Sequence, residues 1–177
     1  MVSKMTKRMA VVGAAMLWSA NAMAQVVLPP TGDYEPNLRI VGVPKMSEID
    51  ALGDRLGQFY MPGEGLTPID TSKCTQAMPL LLEFRNKSIA AADLLSKMAS
   101  QLIAIERLSG LGTIQGEIGR LKGWASLALV DEASCHVAAG DRVSAAVRFA
   151  QAIELDKAGT GGNLARDGMA KLLDYQN

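Results

Sequence analysis

The chain has 177 residues with 18 basic and 18 acidic side chains, and 5% of its residues are aromatic. No cluster of lysine and arginine follows residue 24, so the concentrated basic surface that nucleic-acid binding requires is missing and that partner class is excluded. The excess of alanine, leucine, methionine and isoleucine over aromatic residues favours packed helices over strands.

The first 24 residues have the order of a cleavable secretory signal peptide. Three basic residues precede an uncharged run over residues 9–20, which is about half the ~20 apolar residues that a transmembrane helix needs. Ala22 and Ala24 place small side chains at the two positions that a signal peptidase inspects. The sequence therefore predicts cleavage near Ala24 and a periplasmic or secreted protein with no permanent membrane anchor. The alternative is a short buried N-terminal helix.

Residues 25–46 are predicted to form an extended arm. They contain four of the seven prolines, which remove backbone donors and bias the preceding residues toward extended conformations. Cleavage near Ala24 removes three basic residues and no acidic one, so the exported chain carries a net charge of −3. Residues 47–177 have the length of a single helical domain with its own core.

Two helical patterns fill the first half of this domain. Ser47, followed by two acidic residues, predicts the start of a short helix that ends near Tyr60. A second helix opening at Asp70, Thr71 and Ser72 leads into the longest pattern. Apolar residues recur there every three or four positions over residues 81–105, with Pro79 expected in the first turn and Gly110 near the end. This pattern predicts a helix of about 30 residues, or ~45 Å, that packs against antiparallel helices or a partner chain.

The next segment contains four glycines that fall on one strip of a helix at about 100° per residue. They are Gly112, Gly116, Gly119 and Gly123. A helix with such a strip can approach a neighbour closely. Because each interior glycine costs about 1 kcal/mol relative to alanine, the alternative is a frayed segment with a helix that begins only at Glu117. The sequence leaves both interpretations open.

Cys74 and Cys135 are the only cysteines. An oxidising compartment favours a disulfide between them, and closing a loop of about sixty residues stabilises a fold by ~4 kcal/mol in the chain-entropy model. A metal pair or a catalytic thiol is the competing interpretation, but neither cysteine has a C-x-x-C partner. His136 follows Cys135 directly, and adjacent helix positions diverge by about 100°, which argues against a Cys/His catalytic pair.

No pattern in the sequence indicates a catalytic, cofactor-binding or metal-binding residue. Gly110-Leu111-Gly112 with Gly116 is not a dinucleotide fingerprint, because no hydrophobic strand precedes it. A single histidine leaves a histidine-built metal site out of reach. Asp131 and Glu132 are neighbouring acids that we expect on a solvated outer face rather than in acid–base chemistry.

Residues 126–159 predict a helical hairpin, because Gly140-Asp141 divides two helical patterns and Asp141 can cap the second helix. Large, small and aromatic residues recur in it at fixed offsets: Leu129, Ala133, Gly140, Ala145, Phe149 and Ala152. These offsets resemble those of a tetratricopeptide (TPR) motif, in which small residues let two helices approach and the aromatic fills the gap.

The hairpin also departs from the TPR pattern. Glu132 occupies a position that is usually apolar, Lys157 replaces the usual proline, and no second copy is visible upstream. A further helix over residues 163–175, capped by Asn163, resembles the closing helix of such repeats.

The resemblance covers residues 126–159, about a fifth of the chain, and implies protein–protein binding. We therefore expect an all-α exported protein that binds another protein, as an adaptor or envelope-assembly factor. The alternative is a structural subunit of a bacterial envelope or secretion machine, and a small exported enzyme comes third. The sequence predicts no cofactor and leaves a homo-oligomer open.

Overall fold

The computed structural model describes residues 46–63, 65–104 and 111–174, and within these ranges the chain is all-α, as the sequence predicts. Its helices are α1 (Met46–Leu56), α2 (Cys74–Ala104), α3 (Leu111–Ala138), α4 (Arg142–Leu155) and α5 (Thr160–Asp174). Short 3₁₀ turns follow α1 and precede α2. The predicted signal peptide and arm lie outside the described residues, apart from Met46 at the start of α1.

α3 is the central helix. α2 and α4 pack against it along their lengths, α1 lies on α2, and α5 contacts both α3 and α4. Contacts that pair Cys74 with Cys135 and Phe84 with Trp124 show that α2 is antiparallel to α3. All four residues from 123 to 126 and all three from 131 to 133 are buried. Because neighbours surround α3, its apolar residues do not form a single stripe.

The core consists of two apolar clusters. The first joins α1 and α2 to residues of α3 from Ile114 to Cys135, and the rings of Phe84 and Trp124 stack there with centroids 6.0 Å apart. The second joins the end of α3 to α4 and α5 and holds small residues around one aromatic ring: Leu129, Ala133, Ala145, Phe149, Ala152 and Ala165. The apolar residues at the TPR-like positions thus lie in this second cluster, while Gly140 makes the turn with a φ of 78°. Membership of the TPR family stays a prediction.

α2 follows the predicted opening at Asp70 and begins before the predicted first turn at Pro79. Asp70 accepts a hydrogen bond from the backbone amide of Ser72 at 3.1 Å, a 3₁₀ turn follows, and the helix starts at Cys74. Pro79 therefore lies in the second turn, and its placement in the first turn was wrong. The proline removes the amide that would bond to the carbonyl of Thr75, and both residues are exposed to water. The predicted end near Gly110 lies outside the described residues.

α5 also begins before the predicted cap at Asn163. Its first turn contains Gly161 and Gly162, which allow it to pack closely on other helices. A Cβ atom on Gly161 would lie 2.3 Å from Ser126 Oγ, and one on Gly162 would lie 2.0 Å from the carbonyl oxygen of Asp156. Ser126 Oγ in turn donates to the carbonyl oxygen of Ala152 at 2.9 Å. The absence of side chains thus lets the start of α5 lie directly on α3 and on the end of α4.

The glycine-rich start of α3 follows neither sequence interpretation. All four glycines from Gly112 to Gly123 are helical, so the frayed segment was wrong. No described neighbour lies within 4 Å of a Cβ atom placed on any of them, so the closely packed strip was also wrong. The helix here is anchored instead by its aliphatic face, on which Ile114 and Leu121 are buried.

Cys74 and Cys135 form the disulfide that the sequence predicts. It joins the first residue of α2 to the last turn of α3, with the two Cα atoms 5.5 Å apart. Within the described residues, no helix combines the length and the apolar character that crossing a membrane requires.

Replacing both cysteines by serine should lower the free energy of unfolding by about 4 kcal/mol, because the bond closes a loop with a sequence separation of 61 residues. Urea unfolding of the oxidised protein and of the C74S/C135S variant measures the difference. An equal midpoint for the two proteins would contradict the expectation.

Two glycines should respond to alanine in opposite directions. G161A should destabilise the protein by about 1–3 kcal/mol through overpacking against Ser126, because a Cβ atom has no room there. G116A should stabilise it by up to about 1 kcal/mol, because Gly116 is an exposed helix position with space around it. Urea unfolding of both variants checks the signs, and a destabilising G116A would show that the start of α3 is not helical.

Candidate functional site

A groove of about 640 Å³ lies between α3 and α5, and we call it the α3/α5 groove. The ring of Phe149, from α4, forms its floor beneath Gly168, where a Cβ atom would lie 2.4 Å from Phe149 Cζ. The walls are one face of each helix, Val130, Ser134 and Val137 from α3 and Leu164, Asp167, Lys171 and Leu172 from α5. Spacings of three, four, seven and eight residues place each set on one face of its helix.

The walls of the α3/α5 groove expose large apolar side chains. Val137 is 45% exposed and Leu164 is 39% exposed, whereas Phe149 beneath them is 4% exposed. Arg142, which donates a hydrogen bond to the carbonyl oxygen of Leu172, lies on the rim with Lys171. An open apolar groove with a polar rim is the usual form of a site that receives an apolar segment of another molecule.

Glu132 lies on the other side of α3, about 160° around the helix from both Val130 and Ser134. Its side chain is 1% exposed, and its Oε2 atom accepts a hydrogen bond from Arg85 Nη1 at 2.8 Å. Arg148 Nε lies 3.0 Å from the same oxygen. We call these three residues the ionic cluster, which joins α2, α3 and α4.

The expectation that Asp131 and Glu132 lie on a solvated face was wrong. Asp131 is 8% exposed and accepts a hydrogen bond from Tyr60 Oη at 2.6 Å. The two neighbouring acids therefore point to different sides of α3, one toward the loop after α1 and one toward α2 and α4. Helical periodicity shows that their side chains diverge, but it does not show that both sides of the helix are covered.

Burial dominates the electrostatics of the ionic cluster. It raises the pKa of Glu132, because the charged carboxylate loses water, and the guanidinium groups of Arg85 and Arg148 oppose this increase. Burial also lowers the pKa of Arg85, against the attraction of Glu132. Among the described residues, no group donates a hydrogen bond to Glu132 Oε1, although that atom is buried.

A second groove, of about 750 Å³, lies between α2 and α4 and is here called the α2/α4 groove. Arg85 and Arg148 line it together with five apolar and three polar residues. The apolar residues are Ile89, Leu129, Val147, Ala150 and Leu155, and the polar residues are Asn86, Gln151 and Glu154. Two of the three charged residues of the ionic cluster are thus also wall residues of this groove.

The residues that the sequence analysis singled out take different places. Phe149 is the floor of the α3/α5 groove, and the other apolar TPR-like residues fill the second core cluster. Cys135 is bonded to Cys74, so it offers no thiol beside His136, whose Nδ1 lies 3.5 Å from Asp141 Oδ2. Among the described residues, no group of three or more histidine, cysteine, aspartate or glutamate side chains is placed to hold a metal ion.

Sequence reasoning missed the ionic cluster. The available signal was Glu132 itself, an acid at a position that the TPR pattern keeps apolar. A buried acid requires a basic partner, and Arg85 and Arg148 are among many candidates that the sequence alone does not distinguish.

Comparison of the chain with protein-family models, with curated proteins and with solved structures finds no match in any of the three.

The raised pKa of Glu132 predicts a pH dependence of stability. The folded protein holds this proton at pH values where the unfolded chain has released it, so the contribution of Glu132 to stability falls as pH rises through its folded pKa. The E132Q variant lacks this titration. Relative to E132Q, the wild type should therefore lose stability as pH rises from about 4.3, the ordinary glutamate value, toward neutrality. Urea unfolding of both proteins across this range tests the sign, and a relative gain would show that attraction by the arginines outweighs burial.

Proposed function

We propose that this protein is an exported helical binding module whose α3/α5 groove receives a segment of another protein. The observation that carries the proposal is the pair of exposed apolar walls, with Val137 and Leu164 above the buried ring of Phe149. Water contact with such walls is unfavourable, and covering them with apolar side chains of a partner removes that cost.

The shape of the groove favours an amphipathic helix as the occupant. The α3 wall runs from Val130 to Val137, which is about 10 Å at 1.5 Å per residue, or two helical turns. A partner helix laid along it would place apolar residues three or four positions apart over Phe149. Among the lining residues of the groove, the basic Arg142 and Lys171 outnumber the acidic Asp167, so a partner helix with an acidic polar face complements the groove.

The proposed compartment is the periplasm or the extracellular space. It is supported by the predicted signal peptide and by the bond between Cys74 and Cys135, since disulfides persist mainly in oxidising compartments. In that setting the fitting role is an adaptor or envelope-assembly factor. A structural subunit of an envelope machine is the alternative, and it would form a stable homo-oligomer or require its partner for solubility.

Photo-crosslinking in the exporting cell tests the groove directly. A benzophenone amino acid at position 164 should give a discrete adduct with one other protein, identified by mass spectrometry. The same amino acid at position 143 is the matched control, because Val143 is 77% exposed on α4 and lies outside the lining of either groove.

The substitution V137E should reduce the adduct at position 164 by about tenfold or more, because a charge in the apolar centre of an interface costs at least ~1.4 kcal/mol. Circular dichroism checks that the variant is folded. Equal adducts from positions 164 and 143 would contradict the proposal. An adduct to a second copy of this chain alone would favour the structural subunit.

A further inference from the structure

We infer that the α2/α4 groove is a second, independent binding site, and that it takes an acidic peptide segment of a protein partner. A carboxylate of the segment would accept hydrogen bonds from Arg85 and Arg148, and an apolar side chain would lie on Ile89 and Leu129. The inference does not depend on the α3/α5 groove, because the two grooves share no lining residue.

The charge of the ionic cluster is the first argument. Two guanidinium groups converge on one carboxylate, so the cluster carries a charge of +1 with Glu132 ionised and +2 with Glu132 protonated. It is positive in either state. The Arg148 side chain is 29% exposed and that of Arg85 is 11% exposed, and both line the groove. A partly desolvated excess positive charge at the wall of a groove attracts an anionic group.

The hydrogen-bond donors are the second argument. Arg85 uses Nε for Asn86 Oδ1 at 3.3 Å and Nη1 for Glu132. Arg148 uses Nη1 for Gln151 Oε1 at 2.8 Å and directs Nε toward Glu132. The Nη2 groups of both arginines take no part in these contacts. A guanidinium group pairs well with a second carboxylate through such remaining donors, and these charge-assisted bonds are stronger than neutral ones.

The position of the apolar residues sets the spacing of the segment. α2 and α4 both run antiparallel to α3, so they are parallel to each other. Ile89 lies four residues beyond Arg85, or about 6 Å along the axis. That distance matches four residues of a helix or two residues of an extended chain. The segment therefore places its large apolar residue two or four positions from its acid.

Glu154 determines the direction of the segment. It lines the same groove six residues beyond Arg148, about 9 Å along α4. A second acid near that end would be repelled, whereas one at the arginine end is attracted. The groove is thus charged differently at its two ends and discriminates between the two orientations of an acidic segment.

The test is selection of random 12-residue peptides displayed on phage against the full chain after signal cleavage. The expected outcome is enrichment of Asp or Glu two or four positions from a large apolar residue. The most enriched peptide should lose about tenfold or more in affinity in R148Q, and its binding should weaken with added salt. The matched control is R55Q, which removes an exposed arginine of α1 that lines neither groove, and its affinity should stay within about twofold of the wild type.

If circular dichroism shows that R148Q does not fold, two further variants test the inference. R148K retains the charge but loses the planar fork and should give an intermediate affinity. E132Q removes the internal carboxylate that competes for the same donors, so the peptide should bind it at least as tightly as it binds the wild type. Weaker binding to E132Q than to the wild type would overturn the inference.

Peptides without an acid, equal losses in R148Q and R55Q, or no enrichment at all would also overturn it. Peptides whose binding is lost in V137E but kept in R148Q belong to the α3/α5 groove. They would support the proposed function and overturn this inference, so the two failures are distinguishable.

Discussion

The contact between the buried side chain of Glu132 and two arginines joins three helices at the centre of the domain. Glu132 belongs to α3, Arg85 to α2 and Arg148 to α4, so one oxygen atom of the central helix contacts both helices that flank it on this side. An unpaired buried charge is costly, and this cost restricts the arrangement of the three helices to those that keep both arginines near the carboxylate. The α2/α4 groove is the space that this restriction leaves open above the ionic cluster.

The disulfide and the ionic cluster act on the same pair of helices at different points. Cys74 is bonded to Cys135 at one end of the α2–α3 contact, and Arg85 meets Glu132 about three turns further along α2. Next to Arg85 on α2, Phe84 stacks on Trp124, which lies about two turns before Glu132 on α3. Covalent, ionic and aromatic contacts thus fix α2 on α3, and the remaining helices are arranged around this rigid pair.

The C-terminal helices α4 and α5 pack in a different way. Its helices approach through small residues, because Gly161 allows α5 to lie on Ser126 and Gly168 allows it to lie over the ring of Phe149. Beside this close approach lies the α3/α5 groove, which Val137 and Leu164 line while they stay partly exposed. The apolar surface that supports the binding proposal is therefore a consequence of how the small residues place α5.

The sequence by itself determined the class of fold, the short and long helices, the hairpin turn at Gly140 and the bond between Cys74 and Cys135. These features depend on local periodicity, on backbone preferences and on having only two cysteines to pair. The opening at Asp70 was also identified, but Pro79 was placed one turn too early. The start of α5 was less accurate, because it depends on contacts with other helices.

Only the tertiary structure shows which faces of α3 are covered. The packing of the helices around α3 forms both grooves and buries Glu132. Periodicity along one helix gives the direction of each side chain around its axis. It contains no information about which distant residues, such as Arg85, will occupy that direction. Burial and ion pairing across α2, α3 and α4 are properties of the packed domain, for the physical reason that they require three separate segments to meet.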